Sequence, residues 1–304
     1  MTEAEDWVWR SLLYVPANVE RFVAKAHTRG ADAVLLDLED SVPGAEKDRA
    51  RVCAADAAER LAKVGVDVAV RINRPLRIAI RDLEAVISSN VRAVAIAKTE
   101  GPDHVRLLSE TVAEIEVMRG MTPGQTRFIV MIETAAAYFR MREIAEADPR
   151  VAALVLSSED FSLSCGMQPD ADALYVPKVQ AVIAARAAGV IPLGFVDSVA
   201  NLSDSDAFAD AVRRARRLGF EGASCVHPDQ VPVLNAAFAP SADEVAHAER
   251  IIAANRTAEA EGRASFQLEG RMIDVPVVLR AERVLRRHRA LGERAARPSQ
   301  LHDG

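Results

Sequence analysis

The sequence has little of what marks several large classes of protein. Its 304 residues include three cysteines, widely spaced and without a CxxC pair, so we predict neither a disulfide framework nor a zinc cluster. Lysine and arginine number 38 against 44 acidic residues, which argues against a nucleic-acid-binding protein. No apolar run reaches the ~18 residues of a membrane span, and the acidic N-terminus lacks the apolar core of a secretory signal. We therefore expect a cytoplasmic protein without membrane or nucleic-acid partners.

The signature motifs of the commonest nucleotide-binding and serine hydrolase folds are also missing, because no GxGxxG, P-loop or GxSxG occurs. What the chain does have is aliphatic residues. Half of it is hydrophobic but only 5% is aromatic, so Ala, Val, Leu and Ile predominate. This mixture suits helices packed on parallel strands.

Short β-rich runs alternate with amphipathic helical stretches along most of the chain. The predicted strands are residues 11–16, 33–39, 67–73, 93–98, 127–133, 151–157, 191–196 and 223–227. The predicted helices include residues 46–63, 103–118, 135–146, 178–188 and 204–218. Strands alternating with helices indicate a parallel α/β fold. The count of eight strands favours a closed (β/α)8 TIM barrel, and an open doubly wound sheet is the alternative.

The pattern changes after Pro240. Residues 242–261 predict a long helix, residues 264–276 a short non-helical piece, and residues 277–294 a basic helix. These segments follow the eighth strand and do not form a ninth strand–helix unit. We predict a barrel over residues 1–238 and a C-terminal helical lid extension over residues 239–304.

Polar and charged side chains stand at or just beyond the ends of six of the eight predicted strands. They are Asp37, Glu39 and Asp40, then Arg71 and Asn73, then Lys98, Glu133, the pair Glu159 and Asp160, and finally His227. One charged residue after a buried strand usually means only that the chain has reached water. In a barrel, however, all carboxyl ends of the strands lie on one face, where active sites are built. Six such ends, with acids and bases mixed, predict an active site there.

Glu133 and Asp160 end adjacent strands, so both carboxylates could reach one point above the barrel mouth. Two hard oxygen ligands, with substrate and water completing an octahedron, are how Mg²⁺ is usually held. No His/Cys cluster competes for a softer metal. A pair of solvated or arginine-paired acids is the alternative interpretation.

Three basic residues are candidates for substrate contact. The planar fork of Arg71 suits a substrate carboxylate, and an ion pair with Glu39 or Asp40 is the alternative. For Lys98 we favour a salt bridge or a substrate contact over a Schiff base. His227, which is followed by proline, is either a base or a capping or core histidine.

Six motifs occur in an order that carries a family resemblance. They are RSLLYVPAN (10–18), LLDLEDSV (35–42), VRIN (70–73), MIET (131–134), SSEDF (157–161) and VHPDQ (226–230). Together with GRMIDVPVVLRAERVL (270–285), they resemble the citrate lyase beta-subunit-like branch of the HpcH/HpaI aldolase family, which includes malyl-CoA and citramalyl-CoA lyases. The resemblance covers nearly the whole chain.

The resemblance implies a (β/α)8 barrel enzyme that forms a homotrimer or homohexamer. It also implies that Glu133 and Asp160 bind Mg²⁺ and that Arg71 binds the 2-oxo acid product. Glu39 and Asp40 are then catalytic residues that flank the metal's water ligand or orient Arg71.

The resemblance further assigns residues that contact the rest of the substrate. Asp274 matches an acid that reaches over the site from a neighbouring subunit, so it is the candidate catalytic acid–base. Arg10 lies where the family contacts the CoA part of the substrate. Val226 and His227, in the VHPDQ motif, are assigned to the substrate pocket together with Glu133.

Three departures from the family pattern lie at the predicted barrel mouth. The fourth strand ends AIAK without a proline before the lysine, and Ser157 and Ser158 stand where a glycine-led turn is common. The seventh strand reads PLGFVDSV (192–199) and lacks an Ile-Asp pair often found there. These changes bear on substrate identity more than on metal binding.

The sequence thus predicts a Mg²⁺-dependent carbon–carbon lyase that cleaves a malyl-, citramalyl- or citryl-CoA type thioester into an acyl-CoA and a 2-oxo acid. A class II aldolase for free 4-hydroxy-2-oxo acids is one alternative. A partner-dependent, citrate lyase beta-like subunit, whose acyl group arrives on a separate carrier protein, is the other.

Overall fold

A computed structural model describes residues 7–197 and 205–296, and it has the predicted barrel. Eight parallel strands pair in the order β7-β6-β5-β4-β3-β2-β1-β8. They are β1 (Ser11–Pro16), β2 (Ala33–Asp37), β3 (Asp67–Ile72), β4 (Ala93–Ile96), β5 (Arg127–Ile132), β6 (Val151–Leu156), β7 (Ile191–Leu193) and β8 (Ala223–Cys225). A parallel bridge between Leu193 and Gly222 joins the two ends of the sheet, so the (β/α)8 prediction is confirmed and the open sheet is wrong.

Every predicted strand is present, but most end one to three residues earlier than predicted. The charged residues that follow them, such as Glu39, Lys98 and Glu133, stand beyond the last ladder residue. At these points the backbone leaves the sheet, and the three residues contact one another: Lys98 donates to Glu39 through its side chain and to Glu133 through its amide.

Helices surround the barrel. They are α1 (Glu20–Ala26), α2 (Lys47–Lys63), α3 (Leu76–Val86), α4 (Pro102–Met118), α5 (Ala135–Tyr138), α6 (Met141–Ala145), α7 (Ser158–Cys165), α8 (Ala171–Ala187), α9 (Ser205–Leu218) and α10 (Gln230–Ala237). The single helix predicted over residues 135–146 is two short helices, and α8 begins seven residues before the predicted start. Within the described ranges, no helix has both the length and the apolar composition required to cross a membrane.

The hydrophobic core has two layers, because successive strand residues point to opposite faces of the sheet. The outer layer joins the strands to the helices through residues such as Val34, Leu36 and Val130. The inner layer fills the barrel and is rich in small side chains, including Ala69, Ala95 and their neighbours. A filled interior makes the barrel a packed support for a site at its end.

The seam of the barrel requires a glycine. A Cβ at Gly222 would lie 1.9 Å from the backbone oxygen of Trp9, so no side chain fits there. Across the seam, the Gly194 amide donates to the Gly222 oxygen at 2.8 Å. Close approach of three backbone segments therefore explains this glycine.

The amino-terminal end of the barrel is closed by an aromatic pair. The rings of Trp7 and Trp9 lie 4.3 Å apart between centroids, and Trp9 Nε1 donates to Asp67 Oδ2 at 2.8 Å. Both tryptophans are buried. The candidate active site lies at the opposite end, where the strands terminate.

The described residues from Ala239 onward form a second compact unit, separate from the unit that reaches Phe238. It contains α11 (Ala242–Ala260), a two-stranded antiparallel hairpin of β9 (Phe266–Leu268) and β10 (Arg271–Ile273), and α12 (Val275–Ala295). Ile251, Phe266 and Ile273 contribute to its own small apolar core. A capping box at Ser241 and Glu244 begins α11. The lid role predicted for this region stays a prediction.

Candidate active site

A cavity of about 1080 Å³ opens at the carboxyl ends of the strands. Its lining comes from the ends of β1, β2, β3, β5, β6, β7 and β8 and from α1, and it includes Tyr14, Arg21, Lys25, Arg29, Asp37, Asp40, Arg71, Met131, Ser157, Asp160, Lys178, Gly194, Val226 and His227. A large concave site with a few convergent polar groups is where small molecules bind. In a barrel this is the catalytic face.

Asp37, the last residue of β2, organises the loop that carries the acidic motif. Its carboxylate accepts hydrogen bonds from the backbone amides of Glu39 at 2.9 Å and Ser41 at 3.1 Å. It also accepts a two-pronged ion pair from Arg71, at 2.7 Å from both Nε and Nη2. Although burial opposes it, Arg71 holds the pKa of Asp37 below its usual value. Asp37 therefore stays ionised and fixes both the loop and the arginine.

Arg71, on β3, binds Asp37 through the Nε–Nη2 edge of its guanidinium, so its Nη1 does not contact Asp37. Nη1 lies 3.2 Å from Glu39 Oε2 and 3.8 Å from Asp40 Oδ2, and the ring of Tyr14 lies 5.1 Å below the guanidinium carbon. The predicted alternative of an ion pair with Glu39 or Asp40 is thus present, but the bidentate partner is Asp37. The Nη1–Nη2 edge is left as the one suited to a second planar anion.

Lys98 forms a salt bridge, which is one of the two roles favoured from the sequence. Its Nζ donates to Glu39 Oε1 and lies 3.2 Å from Asp40 Oδ1. Burial opposes the charge, but the hydrogen bond to Glu39 raises the pKa of Lys98 above its usual value. An amine held protonated by this salt bridge is a poor nucleophile, which argues against a Schiff-base role. Its backbone has a φ of 48°, a left-handed conformation that costs roughly 1–2 kcal/mol for a residue with a side chain.

That backbone conformation brings the Lys98 amide to Glu133, the residue directly after β5. The amide donates to Glu133 Oε2 at 3.1 Å, whereas Glu133 Oε1 is buried without a hydrogen-bond partner. Burial, reinforced by the Asp160 carboxylate, raises the pKa of Glu133 to about 8. A buried carboxyl oxygen without a hydrogen-bond partner is a group that a bound cation would satisfy.

Asp160 stands in the first turn of α7, not at the strand end as predicted, and its carboxylate lines the cavity. Ser157 Oγ donates to Asp160 Oδ2 at 3.2 Å. No group of three or more His, Cys, Asp or Glu side chains in the described residues could hold a metal. The unpartnered oxygen of Glu133 and the nearby Asp160 fit a hard cation that takes its other ligands from water and substrate.

Val226 and His227, which follow β8, both line the cavity as predicted. Their backbone amides each donate to Gln230 Oε1 at 3.2 Å, which fixes the turn between β8 and α10. The imidazole of His227 is 65% exposed, and its Nδ1 accepts from the Asp229 amide at 3.3 Å. This capping contact is the alternative that the sequence left open.

Two predicted residues are placed elsewhere. Arg10 precedes β1 at the amino-terminal end of the barrel, where Nε and Nη2 bind the carboxylate of Asp32 at 2.8 and 2.7 Å. Arg10 is not among the residues that line the cavity, and its predicted contact with the CoA part of the substrate stays a prediction. Asp274 belongs to the second unit, where it caps α12 by accepting from the Val277 amide at 3.4 Å.

Sequence reasoning missed two sets of cavity residues. Arg21, Lys25 and Arg29 form a basic rim on α1 and the turn after it. Their spacing of four places them on one helical face, and this signal was available in the sequence. Lys178, on α8, was missed because it lies within a helix rather than at a strand end.

An eight-stranded barrel with paired carboxylates, an anchored arginine and a basic rim at its mouth defines a class of barrel enzyme that acts on anionic substrates. Residues 10–228 match the HpcH/HpaI aldolase/citrate lyase family, and the chain belongs to that family. The resemblance predicted from the sequence is thereby confirmed.

Individual relatives agree with this assignment. The chain is 33% identical to the citrate lyase subunit beta of Escherichia coli, over 94% of this chain and 95% of that protein. It is 28% identical to the mitochondrial citramalyl-CoA lyase of Mus musculus, over 91% of this chain and 85% of that protein. A structure of the protein CitE from Mycobacterium tuberculosis, in complex with magnesium, acetoacetate and coenzyme A, is 31% identical and superposes with a TM-score of 0.72, over 93% of this chain and 99% of that one. The chain is a carbon–carbon lyase of the CoA-ester lyase family.

Proposed function

We propose that the protein cleaves a 3-hydroxyacyl-CoA thioester into an acyl-CoA and a 2-oxo acid, with Mg²⁺ bound by Glu133 and Asp160. The observation that carries this proposal is the buried, unpartnered oxygen of Glu133, which lies close enough to Asp160 for that carboxylate to help raise the pKa of Glu133. Bound Mg²⁺ would supply Lewis-acid stabilisation of negative charge on the oxygen of the oxo acid half. The magnesium and CoA in the CitE complex support the same chemistry.

Different residues of the chain would bind the substrate and hold the binding residues in place. Arg71 binds the carboxylate of the oxo acid half through its Nη1–Nη2 edge, because Asp37 occupies the other edge. Glu39 and Asp40 hold Lys98 and Arg71 in place. The basic rim of Arg21, Lys25 and Arg29 would bind the phosphates of CoA.

The reaction is a retro-Claisen cleavage. The hydroxyl proton leaves, the bond between C2 and C3 of the acyl chain breaks, and the hydroxyl oxygen becomes the carbonyl of the 2-oxo acid. The electron pair passes to the carbon beside the thioester, which then takes a proton. Asp274 is the proposed acid–base for that carbon, supplied by a neighbouring subunit.

The test is an assay of the isolated chain with Mg²⁺ on malyl-CoA, citramalyl-CoA, citryl-CoA and free 4-hydroxy-2-oxo acids. We expect a 2-oxo acid product from at least one thioester and none from the free acids. Glu133→Gln and Asp160→Asn should abolish turnover and weaken Mg²⁺ binding in calorimetry while the fold stays intact. Cleavage of the free acids alone would instead identify an aldolase, and unchanged Mg²⁺ affinity in both variants would remove the metal assignment.

A partner-dependent subunit is the second candidate, because the E. coli relative is itself one subunit of citrate lyase. In that case the acyl group would arrive on a carrier protein. The isolated chain would then leave all CoA thioesters uncleaved while still binding Mg²⁺ and a 2-oxo acid. Full turnover on a CoA thioester without any partner would exclude it.

A further inference from the structure

Tyr14, on β1, lies across the floor of the cavity. Its ring packs on the inner apolar layer that fills the barrel, and it lines the cavity above that layer. The hydroxyl lies 4.0 Å from the sulfur of Met131 on β5. Three strands separate β1 from β5 in either direction around the barrel, so this side chain reaches the opposite wall. The site therefore has a polar O–H group at its floor.

The Tyr14 hydroxyl has a weak hydrogen-bond partner inside the protein. Among the residues that the structure describes, the Met131 sulfur is the one acceptor that it reaches, and a thioether sulfur accepts poorly. The O–H group of a buried tyrosine usually finds a better partner. Burial raises the pKa of Tyr14 above its usual value, so the hydroxyl keeps its proton. It is therefore a donor that a bound ligand can use.

Three carboxylates of the site act electrostatically on this hydroxyl, but none accepts a hydrogen bond from it. They are those of Asp37, Glu39 and Glu133. The first two are held by basic side chains. The third keeps one oxygen without any hydrogen-bond partner, although it stands two residues beyond Met131. The donor of Tyr14 is thus not needed to hold the acidic residues in place.

Arg71 lies directly over the ring of Tyr14. Its guanidinium carbon is 5.1 Å from the ring centroid, and Asp37 occupies its Nε–Nη2 edge. An anion at the remaining Nη1–Nη2 edge would share the space above the ring. A carboxylate has two oxygens and about four lone-pair positions, so it can accept from the guanidinium and from a phenol together.

We propose that the Tyr14 hydroxyl donates a hydrogen bond to the carboxylate of the 2-oxo acid that Arg71 binds, which makes Tyr14 a further substrate-binding residue. This inference rests on the proposed function. Arg71 supplies the charge, and the phenol supplies a donor from the floor, so that the carboxylate is oriented as well as bound. Phenylalanine at this position would keep the packing and the contact with Arg71 and would lose the donor.

The first test measures the binding of pyruvate and glyoxylate to the Mg²⁺-loaded full chain by calorimetry. We expect Tyr14→Phe to bind both acids about tenfold more weakly or worse, because a hydrogen bond to a charged acceptor is lost. The affinity for Mg²⁺ alone should be unchanged. Tyr175→Phe is the matched control and should bind normally. Tyr175 also lies beneath an arginine, with the Arg214 guanidinium carbon 5.0 Å from its ring, but it does not line the cavity.

A double variant tests whether Tyr14 and Arg71 bind the same carboxylate. Residues that contact one group have an interaction energy, whereas independent sites add. We therefore expect Tyr14→Phe combined with Arg71→Lys to lose less affinity than the product of the two single losses. A combined loss equal to that product would assign the hydroxyl to another part of the ligand and overturn the proposal.

Urea unfolding without ligand separates a binding role from a structural one. Tyr14→Phe removes a weak contact to sulfur, so it should unfold at the same urea concentration as the parent chain or at a higher one. Earlier unfolding together with normal acid binding would make the hydroxyl structural. Equal acid affinity in Tyr14→Phe and the parent would overturn this inference alone. Failure of the parent chain to bind either acid would overturn the proposed function as well.

Discussion

Arg71 shows how a single side chain depends on the strand beside it. Asp37 and Arg71 are Cα partners in the parallel register of β2 and β3, so their side chains emerge next to each other. The sequence instead indicates Glu39 and Asp40 as partners, since they follow the strand and are the more conspicuous acids. Register between distant segments is not visible in a linear pattern, and it decides which carboxylate receives the bidentate contact.

The geometry of Arg71 leads to a prediction on binding. Arg71→Lys should reduce 2-oxo acid affinity by well over tenfold, because a point charge cannot serve Asp37 and a substrate carboxylate together. Leaving a desolvated partner charge unmatched costs roughly 2–5 kcal/mol. Calorimetry with pyruvate or glyoxylate measures the effect. Arg60→Lys, at a surface pair with Glu20, is the control and should bind normally. Normal binding by Arg71→Lys would make Arg71 purely structural.

His104, in the first turn of α4, leads to a prediction on pH. Both ring nitrogens are buried without a hydrogen-bond partner, and burial, with a smaller contribution from Arg74, lowers the pKa of His104 to about 4. The unfolded chain binds a proton at about 6.5, so the folded state has the lower pKa. Neutral His104 therefore leaves the folded state fully stable above pH 6.5. As the pH falls from 6.5 toward 4, the unfolded chain gains a proton at this histidine before the folded chain does, and the free energy of unfolding decreases.

We accordingly expect His104→Gln to lose less stability than the parent protein between pH 7 and pH 4.5. Urea unfolding midpoints at the two pH values measure this difference. His27→Gln, at an exposed histidine, should lose as much stability as the parent. Identical losses in all three proteins would show that His104 does not titrate in this range.

At the scale of elements, a buried ion pair joins α4 to the two strands that follow it. Glu116 accepts from Arg150 Nη1 at 3.0 Å and Nη2 at 2.6 Å, and from the amides of Gly124 at 2.8 Å and Thr126 at 2.7 Å. Arg150 also donates to the Thr126 oxygen at 3.0 Å. One carboxylate thus organises the loop before β5 and the start of β6.

Removing one partner of a buried pair leaves an unmatched buried charge, which costs about 3–5 kcal/mol. We therefore expect Glu116→Ala to lower the free energy of unfolding by about that amount, as measured by urea denaturation. Glu114→Ala, at an exposed position on the same helix, should change stability by no more than about 0.5 kcal/mol. Similar losses in the two variants would mean that the pair does not stabilise the fold.

Strands were easier to predict than helices, for a physical reason. Buried parallel strands form nearly continuous aliphatic runs, which is why residues 11–16 were predicted with both ends correct. By contrast, α8 contains Pro177, and the predicted start fell directly after it. Proline usually ends a helix, so a helix that continues through it is not signalled by its sequence.

At the scale of the whole molecule, the barrel brings together residues that are far apart in the chain. Glu39, Lys98 and Glu133 meet because three strand ends open on one face, and alternation with helices was enough to predict that face. The basic rim and Lys178 belong to α1, the turn after it and α8, and their side chains line the cavity. Their participation depends on helix packing, which strand-end reasoning does not include.

The second unit carries an acidic residue beside an exposed apolar one. Asp274 is exposed at the start of α12, where its carboxylate caps the helix, and the adjacent Met272 is 73% exposed on the hairpin. A cap explains the aspartate but not the exposed apolar residue beside it. We predict that this segment completes the active site of a neighbouring subunit, and that Asp274→Ala lowers kcat far more than it lowers Mg²⁺ or 2-oxo acid binding.

Mixing inactive variants tests this arrangement. If Asp274 acts in trans, mixing Asp274→Ala with Glu133→Gln should restore activity, because a subunit with Glu133 can receive Asp274 from its neighbour. Equal mixing with random exchange in a cyclic oligomer would make about a quarter of the sites intact. If Asp274 acts in cis, no subunit has both residues and the mixture stays inactive. Mixing Glu133→Gln with Asp160→Asn is the matched control, since both changes lie in the same barrel and no exchange can rebuild a metal site. Activity in the first mixture and none in the second, with exchange verified by mass spectrometry, would place the second unit over a neighbour's barrel.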